Sequence, residues 1–206
     1  MRIGILGGSF DPVHYGHLLL AESCREQCAL DRVWLIPASL SPHKLDRGCA
    51  DPKHRVEMLK LAIAGNEHFE ISTIEIDRKG ISYTVDTLTD VARQQENATL
   101  HLLMGGDSLR DLPTWRKPER ILQLAIPTVV RRAGDEPVDY GVLSEFVSAE
   151  QLDEIQRFQV DMPQLELSST DIRRRVASDL SIRFRTPRAV EKYIETHSLY
   201  RGDETA

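Results

Sequence analysis

Two histidines three positions apart, His14 and His17, stand behind a pair of glycines, Gly7 and Gly8, in the stretch GGSFDPVHYGH. If both imidazoles lie in the first turn of a helix, they project to nearly the same side. There they can donate to phosphate oxygens, and a protonated ring can stabilise charge that develops on a leaving group. As an isolated pair they would serve equally well as cap or packing residues, and metal ligation would need further ligands that the sequence does not supply. The glycines let the backbone pass close to a ligand and expose amides beside a helix start, whose partial charge suits an anion; the competing reading is a tight turn. Ser9, Phe10, Asp11 and Pro12 replace the GxGxxG dinucleotide spacing, so hydride chemistry loses its main support.

A second anion-binding pattern lies far along the chain. Ser168, Ser169, Thr170 and Asp171 precede Ile172 and Val176, and Ser-x-x-Asp before an apolar stripe is a capping-box pattern. The same helix start offers hydroxyls and amides to phosphates, with an arginine one turn in. Arg173, Arg174 and Arg175 point in three directions about that helix, so only one or two of them can reach a common ligand. Lys44 in SPHK, Asp107 in GGDS and Trp115 in PTW complete the candidates. Each has a plain alternative: a solvated charge, a turn former and a core aromatic.

The elements that must position these residues follow from apolar patterning. Arg2-Ile3-Gly4-Ile5-Leu6 reads as a buried strand, and Leu20, Ala21, Cys24 and Cys28 recur at helical spacing behind the histidines. Residues 32–37 and 99–104 read as further buried strands, 126–130 as another, 69–76 as an alternating strand and 165–167 as the last. Helices are expected after Asp51-Pro52 with Val56, Leu59 and Ile63 on one face, over residues 84–95, near 118–124, from SSTDIR, and from Thr186-Pro187 with Val190, Tyr193 and Ile194. The stretch 38–52 is a long polar loop, and 134–158 is polar without a clear assignment. Strands alternating with helices predict an α/β, Rossmann-like doubly wound fold, with a mostly parallel sheet and helices on both faces. In such a sheet ligands collect outside the carboxyl ends of the strands, where strand order reverses. GGSFDPVHYGH, SPHK, GGDS and SSTDIR each follow an expected strand, so all four should converge on one edge.

A chain of 206 residues accommodates one domain, here residues 1–206, with a C-terminal helical elaboration from about residue 169. A net charge of −6 argues against a nonspecific nucleic-acid binder, though it leaves room for a local basic pocket. No apolar run approaches the roughly 20 residues that span a bilayer, and a cytoplasmic protein with no membrane partner is expected. Cys24, Cys28 and Cys49 form no disulfide framework. With a histidine, Cys24 and Cys28 would make part of a zinc set, but both already fit the apolar stripe.

Taken together, the motifs become specific. GGSFDPVHYGH resembles the opening signature of the nucleotidyltransferase superfamily, whose short form is HxGH, and SSTDIR resembles its C-terminal Ser-Thr-x-Ile-Arg partner. IPASLSPHK, ISYTVDTL, GGDSLRDLPTWRKPERIL and TPRAVEKYIETHSLY are similar to segments of the bacterial nicotinate mononucleotide adenylyltransferases. The likeness covers nearly the whole chain and is weakest over residues 134–164.

The resemblance implies adenylyl transfer from ATP to nicotinate mononucleotide, giving nicotinic acid adenine dinucleotide and pyrophosphate in NAD biosynthesis. It implies catalytic roles for His14, His17, Lys44 and Arg173. It implies ATP contacts from Gly7, Gly8, Ser9, Phe10, Gly105, Asp107, Ser169 and Thr170 as well as the histidines and Arg173. Mononucleotide contacts would come from Gly8, Ser9, Lys44, Tyr83, Thr84 and Trp115, the indole stacking on the nicotinate ring. Mg²⁺ would ride mainly on the ATP phosphates, without a dedicated protein cage. Such chemistry needs positioning and charge neutralisation rather than a covalent nucleophile. A nicotinamide mononucleotide or phosphopantetheine adenylyltransferase, and a non-catalytic nucleotide-binding module, are the competing readings; monomer and homo-oligomer stay open.

Overall fold

The computed structural model describes residues 1–39 and 49–201. In chain order the elements are β1 (Arg2–Gly8), α1 (Tyr15–Gln27), β2 (Arg32–Pro37), α2 (Pro52–Ile63), β3 (Phe69–Ile71), α3 (Ile74–Arg78), α4 (Thr84–Gln94), β4 (Thr99–Gly105), α5 (Gly106–Asp111), α6 (Pro118–Leu124), β5 (Ile126–Arg132), α7 (Ala149–Gln156), β6 (Val160–Met162), α8 (Ser169–Ala177) and α9 (Arg188–Thr196). Short 3-10 turns occupy Leu112–Thr114 and Tyr140–Leu143.

The six strands form one sheet in the order β3-β2-β1-β4-β5-β6, and every neighbouring pair is parallel. Strand order therefore reverses between β1 and β4. Parallel strands covered on both faces must be apolar on both, and the side chains divide accordingly. Leu6, Val33, Leu35 and Leu103 join Ala21, Cys24, Met58, Leu59, Ile172, Val190 and Ile194, so α1, α2, α8 and α9 cover one face. Ile3, Ile5, Ile36 and Leu102 join Val85, Leu88, Val91, Leu109, Ile121 and Ile155, which places α4 to α7 on the other. The doubly wound architecture expected from the sequence is what the chain adopts. The C-terminal helices are part of its first face: Tyr193 Oη lies 2.9 Å from His54 Nδ1 on α2. Cys24 and Cys28 are free buried thiols, pushed up from their ordinary value chiefly by burial.

Three expectations are corrected. The strand expected over residues 69–76 ends at Ile71, and Ile74–Arg78 is a helical turn. Thr73 Oγ1 donates to Asp77 Oδ2 (2.7 Å), and the turn delivers Glu75 into the interior, where it accepts the Thr87 hydroxyl at 2.6 Å. Residues 165–167 are not a strand; the last strand is Val160–Met162, stopped by Pro163, which has no N–H to pair. The Gln27 carboxamide satisfies this short strand by donating to Asp161 O (2.8 Å) and accepting from Asp161 N (3.1 Å). On α2 the fully buried positions are Arg55, Met58 and Leu59, with Val56 and Ile63 only half-buried. Among the described residues no helix is long and apolar enough to cross a membrane.

Candidate active site

At the carboxyl end of β1 the chain must turn sharply into α1. Phe10 takes a left-handed φ of 47° and buries its ring completely, and a Cβ on Gly8 would sit 3.3 Å from that ring. His14 caps α1 and His17 occupies its first turn, so the two imidazoles share a side as the spacing predicts. The rings stack with centroids 3.7 Å apart at 21°, and Phe10 meets His17 edge-on at 5.0 Å. Gly16 leaves little room to spare: a Cβ there would lie 3.0 Å from His14 Cε1 and Nδ1.

The tautomer of His17 follows from its neighbour. The His14 backbone N–H donates to His17 Nδ1 (3.3 Å), which leaves Nε2 as the donor nitrogen of the neutral ring. His14 is buried, and its Nδ1 has no partner among the described residues. Burial, aided by the Arg132 charge, lowers its pKa to about 4. It is therefore a neutral imidazole near pH 7, suited to hydrogen bonding rather than to carrying charge.

This loop is tied down from several directions. From α8, Ser169 Oγ donates to Pro12 O (2.8 Å) and Arg173 Nη1 donates to Asp11 O (2.6 Å). Arg173 also lies 3.6 Å from Asp11 Oδ2 and donates to Thr170 Oγ1 at 3.3 Å. Thr186 Oγ1 donates to Val13 O (2.7 Å), and the Tyr15 N–H to Arg185 O (3.2 Å). The Asp11 carboxylate, 1% exposed, accepts the Tyr200 hydroxyl (2.6 Å) and the Ala50 N–H (3.2 Å). Arg55, 2% exposed, donates to Ser9 O (2.9 Å) and Ala50 O (3.1 Å).

Of the three arginines on α8 only Arg173 faces the loop. Arg174 pairs with Asp171 and Arg175 donates to Ser181 O. Ser168 caps the helix as its pattern implies, accepting from the Asp171 N–H at 3.1 Å, while the Asp171 carboxylate takes Arg174 and Arg185.

Beside the loop a cavity of about 450 Å³ opens at the β1/β4 reversal point. Gly7, Gly8 and Ser9 from β1 and Met104 and Gly105 from β4 line one side, and Tyr83, Thr84, Trp115 and Arg116 another. Neither Gly7, Gly8 nor Gly105 has a positive φ, and a Cβ on Gly7 or Gly105 would meet nothing within 4 Å. The tight-turn reading, which needs a positive φ, thus fails for Gly7 and Gly8. Trp115 is half-buried, packed on the α4–α6 core with one side to the cavity.

Four motifs were expected on one edge, and three are seen there. Lys44 lies outside the described residues, as does most of the 38–52 loop. His14, His17, Phe10, Ser169, Thr170 and Arg173 gather at the loop, and Gly7, Gly8, Ser9, Gly105, Tyr83, Thr84 and Trp115 around the cavity. The Asp107 side chain is 90% exposed and pairs with Arg110 at 3.2 Å, outside the cavity lining. Sequence reasoning missed Arg55, Tyr200, Glu75, Arg116 and the role of Asp11. Arg55 was traceable, since it falls on the same helical stripe as Met58 and Leu59.

With this geometry in place, the likeness to known proteins is informative. The cytidylyltransferase-like family matches residues 5–175. A protein of Thermomicrobium roseum named "Probable nicotinate-nucleotide adenylyltransferase" is 46% identical over 203 residues, 98% of this chain and 93% of its own. One of the same name from Roseiflexus sp. is 49% identical over 97% of this chain and 98% of its own. Among solved structures, Plasmodium falciparum nicotinic acid mononucleotide adenylyltransferase complexed with NaAD superposes with a TM-score of 0.73 at 20% identity, covering 97% of each chain. The same enzyme complexed with APC gives a TM-score of 0.74 at 19% identity, covering 97% of this chain and 96% of that one. At these identities the structural likeness speaks for the fold.

Proposed function

This chain belongs to the cytidylyltransferase-like family, on its nicotinate-nucleotide adenylyltransferase branch, and from that premise we propose how its site carries out the adenylyl transfer. The mononucleotide phosphate attacks the α-phosphorus of ATP. The bond to the β-phosphate's bridging oxygen breaks, and pyrophosphate leaves with that oxygen's electron pair. Nothing in this requires a covalent enzyme intermediate; it requires alignment and neutralisation of charge.

The observation that carries the reading is the adjacency of two features. A cavity bordered by glycines with open Cβ directions shares Gly8 and Ser9 with a rigidly tied helix start bearing stacked imidazoles. We assign the nicotinate ring to the Trp115 side, where Tyr83 and Thr84 begin α4, and the ATP phosphates to the His14/His17 side. His17 Nε2–H donates to the reacting phosphates, while His14, neutral by burial, supports the ring it stacks on. Ser169, Thr170 and Arg173 reach the triphosphate from α8, and Arg173 also fixes the loop through Asp11. Gly105 admits the adenylate ribose; Asp107 reaches it by leaving its exposed pairing with Arg110. Lys44 is assigned to phosphate charge by the sequence resemblance alone.

Mg²⁺ enters as MgATP. Among the described residues no group of three or more His, Cys, Asp or Glu is placed to hold a metal, and the Asp11 carboxylate is turned to Tyr200, Ala50 and Arg173. On this reading the ATP phosphate oxygens carry the ion.

The test is pyrophosphate release with ATP and Mg²⁺, offering nicotinate mononucleotide, nicotinamide mononucleotide or phosphopantetheine in parallel. Strong preference for nicotinate mononucleotide is the expected result. Preference for another acceptor would overturn the substrate assignment, and no release with any would overturn the reaction.

A further inference from the structure

The cavity wall holds a cation that the reaction itself does not require. Among the described residues that line the cavity, Arg116 is the only basic side chain and Glu75 the only acidic one. Glu75 is buried and already accepts the Thr87 hydroxyl at 2.6 Å. The Arg116 guanidinium carbon sits 4.6 Å from the centroid of the Tyr83 ring. Among the described residues its ion-pair partner is Asp86, whose Oδ2 is 3.6 Å away, too far for a hydrogen bond, and the side chain remains 51% exposed. The guanidinium is thus held over the Tyr83 ring by a cation–π contact, with a loose ion pair to Asp86.

Resting on the adenylyl-transfer reading above, we infer that Arg116 determines acceptor specificity by pairing with the carboxylate of the nicotinate ring. The chemistry that distinguishes the two candidate acceptors is one group, a carboxylate or a carboxamide, on otherwise equal mononucleotides. A guanidinium held next in the chain to Trp115, over the ring of the residue that caps α4, favours the anion at that ring. A planar fork matches a carboxylate with two parallel N–H donors, whereas the carboxamide offers one oxygen and an NH₂ that meets the fork donor to donor. Asp86 holds Arg116 near the wall from the α4 side, and its charge is balanced by that pairing when the ligand is absent.

A purely structural Arg116 would link the segment before α6 to α4, and its loss would affect both acceptors alike. The experiment compares the full chain with Arg116→Gln and Arg116→Lys, measuring kcat and KM for nicotinate and nicotinamide mononucleotide with ATP and Mg²⁺ saturating. For Arg116→Gln, kcat/KM for the nicotinate substrate should fall about tenfold, mainly through KM, as expected for losing a half-exposed charged hydrogen bond. That for the nicotinamide substrate should stay within about twofold, and Arg116→Lys should fall between wild type and Gln. An equal loss for both acceptors, or an unchanged ratio in a wild type that does prefer the nicotinate substrate, overturns the inference and leaves the adenylyl-transfer reading standing. A wild type that turns over neither mononucleotide sinks that reading, and the inference with it.

Discussion

Lowering the pH from about 7.5 to about 5 should unload stability through His14, in an amount the structure sets. Burial holds the folded ring's pKa at about 4 against an ordinary value of 6.5. Over that interval the unfolded chain takes up a proton that the folded chain refuses. The contribution is thus fully present above pH 6.5, falls as the pH drops, and is exhausted near pH 4. With roughly 1.4 kcal/mol per unit, the full span is about 3.4 kcal/mol, of which about 2 kcal/mol has gone by pH 5. His101, also buried and also lowered to about 4, adds a loss in the same direction and window. Urea unfolding of wild type and His14→Asn at several pH values separates the two, because the variant keeps His101. The wild-type curve should drop more steeply below pH 6.5, by about one proton's worth of slope. Parallel curves, or a folded-state His14 resonance titrating near pH 6.5, would refute the argument that this imidazole is neutral and desolvated.

His17→Ala should fold with an unchanged unfolding midpoint yet lose about 100-fold or more in kcat for pyrophosphate release, the scale of removing a donor to developing charge. A nearly unchanged kcat would remove His17 from the chemistry. Trp115→Ala should raise KM for the mononucleotide about tenfold with kcat little affected, in keeping with the ~1–3 kcal/mol of a base-type stack; an unchanged KM would make the indole a core residue. Gly7→Ala should leave stability within about 0.5 kcal/mol, since its φ is not positive and its Cβ meets no protein atom, while weakening nucleotide binding measured calorimetrically. Unaltered binding would return Gly7 to a merely local role.

What the sequence makes legible here is local. Ile3, Ile5, Val33 to Ile36 and Leu102 to Met104 are apolar because both sheet faces are covered, so the buried strands are visible as runs, and the motifs at their ends inherit a common edge. The helix from Tyr15 and the Ser168 cap were equally visible, being set by neighbours within one turn. Ile74 and Ile76 misled because alternation over a few residues fits a strand, and only the distant Thr87 rewards turning Glu75 inward. The ties on the His14 loop were hidden for the same reason. Asp11 meets Arg173 and Tyr200 across separations of 162 and 189 residues, and nothing in the local pattern of any of the three announces the others.

Those long separations also set an order of events in the life of each chain. Among the described residues every strand lies before Pro163 and every cavity-lining residue before Leu122, so the sequence of the sheet and of the glycine-bordered cavity is complete before α8 begins. The contacts from Ser169, Arg173, Thr186 and Tyr200 that fasten the loop ahead of His14 and His17 all come from beyond that point. A chain that has not yet reached Tyr200 thus has the residues that line the cavity but lacks the full set of ties on the loop ahead of the imidazoles. The C-terminal segment acts as the closing stitch on a loop that β1 and α1 alone would leave loose.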